Sequence, residues 1–167
     1  NYWKIISSEY ISKVDKGIIN IHHSYKLRFR GRYSTSWAII HARKDNNWFH
    51  GTTLHYVDSK LDNGSIIDSQ RCEINESDTA EILFERVEEL AIDMFKNNFN
   101  KILSGEQNFI DPDSEFFYYG KDSNEDLQVN FNNPIEEVYD FVRAWSFKDR
   151  PKPYYLFNEN KIFLTIN

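Results

Sequence analysis

Two short segments of the chain carry side chains that together could transfer an acyl group. Asn20, His22 and Ser24 alternate in the first segment, and Asp62 lies in the second, within Leu61-Asp62-Asn63-Gly64. An amide can donate a hydrogen bond to a carbonyl oxygen and an imidazole can move a proton. A carboxylate can hold the imidazole or accept the proton itself. These groups predict acyl transfer to an amine without a covalent nucleophile.

The first segment predicts a strand that presents Asn20 and His22 on one face. The apolar run around Ile19 and Ile21 is typical of a buried strand, and side chains alternate along a strand. His23 then points to the opposite face, where a structural role is expected. From chemistry alone, Asn20 could instead be a buried amide bonded to neighbouring backbone.

Two carboxylates compete for the acidic role in the second segment. Asp58 follows a predicted strand and could cap a turn, whereas Asp62 precedes Asn63-Gly64, where a tight turn can aim a side chain into a cleft. Their chemistry does not separate them. His50 and His55 lack the spacing of a zinc site, so no metal is predicted, and His55 is interpreted as a sheet residue.

Composition excludes several classes of protein. The chain has 167 residues and a net charge of -6, which disfavours a general nucleic-acid surface. Cys72 is the single cysteine, so no internal disulfide can form, and no apolar run approaches the length of a membrane span. A cytoplasmic protein is expected, without nucleic-acid or membrane partners.

Periodicity divides the chain into short elements. The strongest prediction is a long helix that begins at an Asp78–Glu81 capping pattern and ends at Gly105, with an apolar stripe toward the core. The other predictions are strands over 17–23, 52–58 and 66–73, a basic loop over 25–33, helices over 8–14, 37–43 and 133–147, and a closing hairpin with its turn at 158–160.

The motifs resemble the signature of the folate-dependent formyltransferases. They are Asn20-x-His22-x-Ser24, Arg30-Gly31, the run from Gly51 to Tyr56, and Leu61-Asp62-x-Gly64-x-Ile66-Ile67. The resemblance implies that Asn20, His22 and Asp62 are the catalytic trio and that N10-formyltetrahydrofolate is the formyl donor. One departure is the run Tyr25-Lys26-Leu27, where the family usually has Leu-Leu-Pro.

The same resemblance implies an α/β fold, the C-terminal part of a doubly wound, mostly parallel sheet of the formyltransferase-like Rossmann type. The first half of that sheet is expected to be missing, because little sequence precedes Asn20. A catalytic core is predicted over 1–105, and a small segment of helix and β-hairpin over 106–167.

The segment over 106–167 is most similar to that of sugar-nucleotide formyltransferases. It contains Tyr118-Tyr119-Gly120-Lys121 and then Arg143-Ala144-Trp145 before the hairpin. The resemblance implies transfer of formyl to the amine of a nucleotide-linked dideoxy amino sugar, with dTDP as the expected nucleotide. Methionyl-tRNA or glycinamide ribonucleotide formyltransferase, formyltetrahydrofolate deformylase, and a non-catalytic fragment that binds folate or a partner remain alternatives.

The resemblance also implies ligand contacts, and the composition of the chain end predicts an assembly. Folate contacts are predicted at Asp58, Leu61 and Gly64, and substrate contacts at Arg32, Tyr119 and Lys121. A guanidinium such as that of Arg32 forks well onto phosphate. The apolar residues near the chain end predict a homodimer, since most soluble oligomers are closed homodimers.

Overall fold

The computed structural model describes residues 6–120 and 126–166, so the substrate contact predicted for Lys121 lies outside the described residues. The helices are α1 (Ser8–Ile11), α2 (Ser34–Lys44), α3 (Ala80–Ser104) and α4 (Ile135–Ala144), with a 3-10 turn over Tyr25–Leu27. The strands are β1 (Ile19–His22), β2 (Phe29–Gly31), β3 (Phe49–Tyr56), β4 (Ile66–Glu73), β5 (Phe117–Tyr119), β6 (Tyr154–Phe157) and β7 (Asn160–Phe163).

The largest sheet has the order β1-β3-β4, and both of its pairings are antiparallel. The α/β class is confirmed, but the expectation of mostly parallel pairing is wrong for these strands. The segment 57–65 between β3 and β4 is short enough for antiparallel strands, whereas a parallel pair needs a longer crossover. The β1 segment resembles a fully buried strand because it is rich in isoleucine, yet Asn20 is exposed on it.

Part of the segment predicted as a basic loop over 25–33 is strand β2, which pairs in parallel with β5. Two arginines of this segment, Arg28 and Arg30, are partnered. Arg28 lies 3.2 Å from Asp45 and 3.0 Å from Glu115, and Arg30 stacks on the Phe116 ring at 4.0 Å. The arginines made this segment resemble a solvated loop in the sequence. Their partners lie far along the chain and let the segment form a strand.

Helix α3 has the apolar stripe that its sequence predicts. Leu83, Val87 and Met94 are fully buried, and Gly105 ends the helix at φ 77. The predicted cap is wrong by one residue, since the Thr79 hydroxyl accepts the Ile82 N–H at 3.3 Å. Asp78 instead accepts from the Asn75 N–H and pairs with Arg86.

The largest core cluster contains residues from both sides of the predicted boundary at 105. Phe29, Ile39 and Leu83 from the first part pack with Leu127 and Trp145 from the second. Helix α4 packs on α2, where Arg43 Nε lies 2.7 Å from the Asp140 carboxylate. The division into two units therefore remains a prediction.

The closing hairpin is confirmed, with Asn158 and Glu159 in its turn at φ 48 and φ 66. Helix α4 is shorter than expected, and Asn133 does not cap it, since the cap position is Pro134. Over residues 6–120 and 126–166, no helix is long and apolar enough to cross a membrane.

Candidate active site

One cleft of about 1140 Å³ contains most of the residues singled out from the sequence. Its floor is formed by β1 and the loop 58–64, and its opposite wall by α3. Predicted site residues on its lining are Asn20, His22, Arg32, Leu61, Asp62 and Tyr119. The structure thus brings together the amide, the imidazole and the carboxylate that are far apart in the chain.

His22 and Asp62 lie side by side at the base of the cleft. His22 Nε2 is 3.8 Å from Asp62 Oδ2, and their side chains are only 11% and 10% exposed. Each is oriented by the backbone of β2. His22 Nε2 donates to the Phe29 carbonyl at 2.7 Å, and Asp62 Oδ2 accepts the Gly31 N–H at 2.8 Å. Strand β2, which was predicted as part of a loop, therefore holds both groups.

The conformation of the loop 58–64 directs the Asp62 side chain into the cleft. Asp62 has a φ of 45, a left-handed conformation that few residues other than glycine adopt, although aspartate is among those that tolerate it. Asp58 accepts from the Asn63 amide at 2.9 Å, and Arg30 donates to the Asn63 oxygen at 2.7 Å. A side chain at Gly64 would collide with the Tyr56 carbonyl.

Asp58 and Gly64 do not line the cleft, in contrast to Leu61. The Asp58 carboxylate accepts hydrogen bonds from the Lys60 N–H and the Asn63 amide, and Gly64 lies against the backbone of Tyr56. The folate contacts predicted for Asp58, Leu61 and Gly64 remain predictions. Asp58 and Gly64 shape the loop that carries Asp62, which explains why they stand beside it in the sequence.

Asn20 projects from β1 into the same cleft. It is paired across the sheet with His55 of β3, and its Nδ2 lies 3.3 Å from His55 Nε2. His55 is buried, and burial lowers its pKa from the ordinary value. The interpretation of His55 as a sheet residue is confirmed, but no sequence pattern indicated its contact with Asn20.

His23 also lines the cleft, although it was expected to be structural. Its Nε2 is 3.4 Å from the Glu88 carboxylate of α3, and its ring packs on Phe84 with a centroid distance of 4.9 Å. Burial and the neighbouring His22 lower the pKa of His23 to about 4, so the ring is neutral at neutral pH. Glu88 and Lys96 add one negative and one positive charge to the α3 wall.

The aromatic residues at the end of β5 differ in their freedom to contact a ligand. Tyr119 stacks on Trp37 at 3.9 Å, and its hydroxyl lies 2.6 Å from His41 Nε2. Tyr118 also lines the cleft and is 61% exposed. Tyr118 is therefore the aromatic surface open to a ligand, whereas Tyr119 forms part of the wall.

Arg32 lies at the cleft with its side chain exposed. Within the described part of the chain, no carboxylate comes within ion-pair distance of its guanidinium, in contrast to Arg28. In the same ranges, no group of three or more metal-ligating side chains is arranged to hold an ion. His50 instead faces Thr35, with 3.2 Å between His50 Nε2 and the hydroxyl oxygen.

Comparison with known proteins identifies the family. Residues 1–97 match the family described as Formyl transferase. The chain belongs to this family. Among curated formyl transferase relatives, the bifunctional polymyxin resistance protein ArnA of Wigglesworthia glossinidia brevipalpis is 30% identical over 86% of this chain and 22% of its own length. A methionyl-tRNA formyltransferase of Malacoplasma penetrans is 28% identical over 98% of this chain and 50% of its own length.

Solved structures share the formyl transferase fold. A 4-N formyltransferase from Francisella tularensis superposes with a TM-score of 0.86 at 22% identity, over 98% of this chain and 66% of that one. An N-formyltransferase from Helicobacter canadensis, in complex with folinic acid and dTDP-3-aminofucose, has a TM-score of 0.78 at 26% identity, over 95% and 57%. The chain thus spans half or less of these curated relatives and about two thirds or less of these structures.

Proposed function

We propose that the protein is an N-formyltransferase that moves formyl from N10-formyltetrahydrofolate to the amine of a nucleotide-linked amino sugar. The observation that carries this proposal is the meeting of Asn20, His22 and Asp62 in one cleft of a formyl transferase family member. The folate donor is supported by relatives that bind formyl-tetrahydrofolate or folinic acid. The three side chains supply the groups that formyl transfer to an amine needs.

In the proposed reaction the neutral amine attacks the formyl carbon, and the carbonyl oxygen becomes an oxyanion. The Asn20 amide and His22 donate hydrogen bonds to that oxygen. Asp62, directly or through water, takes the proton that the amine loses. The bond from carbon to the folate N10 then breaks, and His22 supplies the proton that the departing nitrogen needs. A distance of 3.8 Å lets the charges of His22 and Asp62 stabilise each other during these transfers.

Arg32 and Tyr118 support a nucleotide sugar as the acceptor. No carboxylate of the described residues pairs with the Arg32 guanidinium, which suits a phosphate because its planar fork matches two phosphate oxygens. Tyr118 offers an exposed aromatic face at the same cleft, suitable for stacking on a base or sugar. A dTDP carrier is favoured because the Helicobacter canadensis relative holds dTDP-3-aminofucose. Tyr119 then acts as the wall behind the ligand.

The two-part division and the dimer belong to the same proposal. Residues 1–105 would supply the formyl-transfer chemistry and residues 106–167 the sugar-nucleotide contacts. The β6–β7 hairpin exposes Leu156, Phe157 and Phe163. An apolar surface of this kind suits a two-fold interface with a second copy.

The test is formyl transfer measured by mass spectrometry with N10-formyltetrahydrofolate and a panel of dTDP- and UDP-linked amino sugars. Methionyl-tRNA, glycinamide ribonucleotide and water alone serve as competing acceptors. We expect the mass of one formyl group to appear on an amino sugar and on no other acceptor. Formylation of methionyl-tRNA, or folate deformylation without an acceptor, would assign the cleft to one of the other branches of the family.

A further inference from the structure

His55 lies beside Asn20 in the sheet and is buried, whereas Asn20 is exposed. The two residues are cross-strand partners in the β1–β3 pairing, so their side chains project from the same face of the sheet. His55 is 2% exposed, and the register of β3 against β4 shifts between Leu54 and His55. Such irregularities re-aim a side chain next to a functional site.

The hydrogen bonds of His55 determine which of its nitrogens carries the proton. Nδ1 lies 2.8 Å from the Tyr56 carbonyl oxygen. A carbonyl only accepts, so Nδ1 must hold the hydrogen of this bond. Burial lowers the pKa of the ring, and a neutral imidazole then has a lone pair on Nε2. Nε2 is therefore an acceptor.

The lone pair of His55 Nε2 in turn selects one orientation of the Asn20 amide. Nδ2 of Asn20 is 3.3 Å away and can donate to it. The flipped amide would place Oδ1 against a second lone pair, which is repulsive. With Nδ2 held toward His55, the remaining N–H and Oδ1 of Asn20 keep a fixed direction relative to the cleft.

We propose that His55 is a positioning residue that fixes the Asn20 carboxamide in its donating orientation. This inference rests on the proposed function, because it assigns the amide a hydrogen bond to the developing oxyanion. His55 touches no reacting atom. Its contribution comes through Asn20, in the way that outer-shell partners orient a ligand-contacting group.

The kinetic test compares the same substitution at two buried histidines of β3. His55→Leu should lower kcat roughly tenfold to a hundredfold with little change in KM, as loss of an outer-shell partner does. The His50 ring faces Thr35 rather than the cleft. His50→Leu should therefore keep kcat, once the rate is corrected for the fraction of protein that is folded. Equal losses in the two variants would show that the effect is only structural and would overturn the inference.

A double-mutant cycle tests whether His55 acts through Asn20. In an Asn20→Ala background, His55→Leu should cause no further loss of kcat, because the amide that it orients is already gone. Additive losses would overturn the inference. If the unmodified protein transfers no formyl group, the proposed function itself fails. Additive losses in a protein that does transfer formyl overturn only the role assigned to His55.

Nitrogen-15 NMR of the unmodified protein gives a readout that does not depend on activity or on the stability of any variant. The His55 ring, assigned through its own backbone, should show a protonated Nδ1 and an unprotonated Nε2 at neutral pH. The Asn20 side-chain hydrogen that faces His55 should exchange with water more slowly than the one that faces the cleft. A His55 ring with its proton on Nε2 would turn Nε2 into a donor and overturn the inference.

Discussion

Backbone groups of one short strand orient the two ionisable side chains at the base of the cleft. The Phe29 carbonyl accepts from His22, and the Gly31 N–H donates to Asp62. Both side chains are nearly buried, so a lost hydrogen bond could not be replaced easily by water. The proposed chemistry therefore depends on how rigidly β2 is held, as well as on the identity of Asn20, His22 and Asp62.

Removal of the amide or the imidazole should affect the chemical step rather than binding. Asn20→Ala or His22→Ala should lower kcat about a hundredfold or more, through lost oxyanion support and lost proton transfer. Calorimetry should show that the nucleotide sugar still binds with nearly unchanged affinity. A His22→Ala protein with a near-normal rate would remove His22 from the mechanism.

Arg32 should matter for binding rather than for turnover. Arg32→Ala should raise the KM for the nucleotide sugar roughly tenfold, because a charged hydrogen bond to phosphate is lost, with kcat little changed. Arg71→Ala is the matched control, since Arg71 lies over the Phe49 ring at 4.4 Å and does not line the cleft. Steady-state kinetics decides, and a similar KM in both variants would exclude a phosphate contact by Arg32.

The secondary-structure elements differ in how far the sequence predicts them. Helix α3 and strand β4 follow strong periodic patterns, and the observed bounds of β4 equal the predicted ones. Strand β2 could not be predicted, because its arginines look solvated and their partners are remote in sequence. The antiparallel order could not be predicted either, since a strand's composition reports its burial and says little about its direction.

The candidate site shows the same division. That Asn20, His22 and Asp62 share one cleft could be predicted, because these residues stand in short motifs and the turn at Asn63-Gly64 can direct the Asp62 side chain. Their catalytic roles remain a prediction. The positions of His55 and Glu88 could not be predicted, because His55 meets Asn20 only through the sheet register and Glu88 lines the cleft only through the packing of α3. The folate contacts of Asp58 and Gly64 remain predictions, and the sequence could not show that the Asp58 carboxylate bonds to the Lys60 N–H and the Asn63 amide.

The loop 58–64 should tolerate no side chain at its glycine. Gly64→Ala places a methyl group against the Tyr56 carbonyl, so the loop must move and carry Asp62 with it. A displacement of this kind can lower kcat about a hundredfold. Steady-state kinetics and thermal unfolding of the same samples check this.

Gly105→Ala is the control for that substitution. Its φ of +77 makes alanine unfavourable by about 1 kcal/mol, but nothing lies within 4 Å of the added carbon. This variant should lose stability and keep kcat. If Gly64→Ala behaves in the same way, Gly64 affects only the stability of the fold.

The buried histidines of the sheet should make stability depend on pH. Burial, with weaker effects from neighbouring histidines, lowers the pKa of His50 to about 3 and that of His23 to about 4, against 6.5 when unfolded. Between these values the unfolded chain binds more protons than the folded one, so stability falls as pH drops below about 6.5. Each ring should contribute on the order of 1 kcal/mol per pH unit in that window.

Urea unfolding at several pH values measures this slope. His50→Leu should flatten it between about pH 6.5 and 4, whatever the variant does to stability at neutral pH. An unchanged slope would mean that His50 is not buried as a neutral ring.

The assembly of the protein should depend on the hairpin rather than on general surface hydrophobicity. Phe157 and Phe163 are 59% and 63% exposed on β6 and β7. Replacing both with serine should convert a dimer into a monomer, because these exposed rings would be buried only at the interface with the second copy. Tyr10→Ser is the control, at a site 65% exposed on α1. Light scattering of the two variants decides, and a dimer that survives both would rule out the hairpin as its interface.

Under the proposed function, the parallel pairing of β2 with β5 limits how this fold can acquire new acceptors. Gly31 lies beside Tyr119 in that pairing, and the Arg32 N–H donates to the Tyr119 carbonyl at 2.9 Å. Gly31 also holds Asp62. Strand β5 is thus joined through β2 to the Asp62 carboxylate, so a replacement of the β5 backbone would disturb the position of that carboxylate. We therefore expect a change of acceptor to keep the β5 backbone and to alter the side chains that it exposes, such as Tyr118.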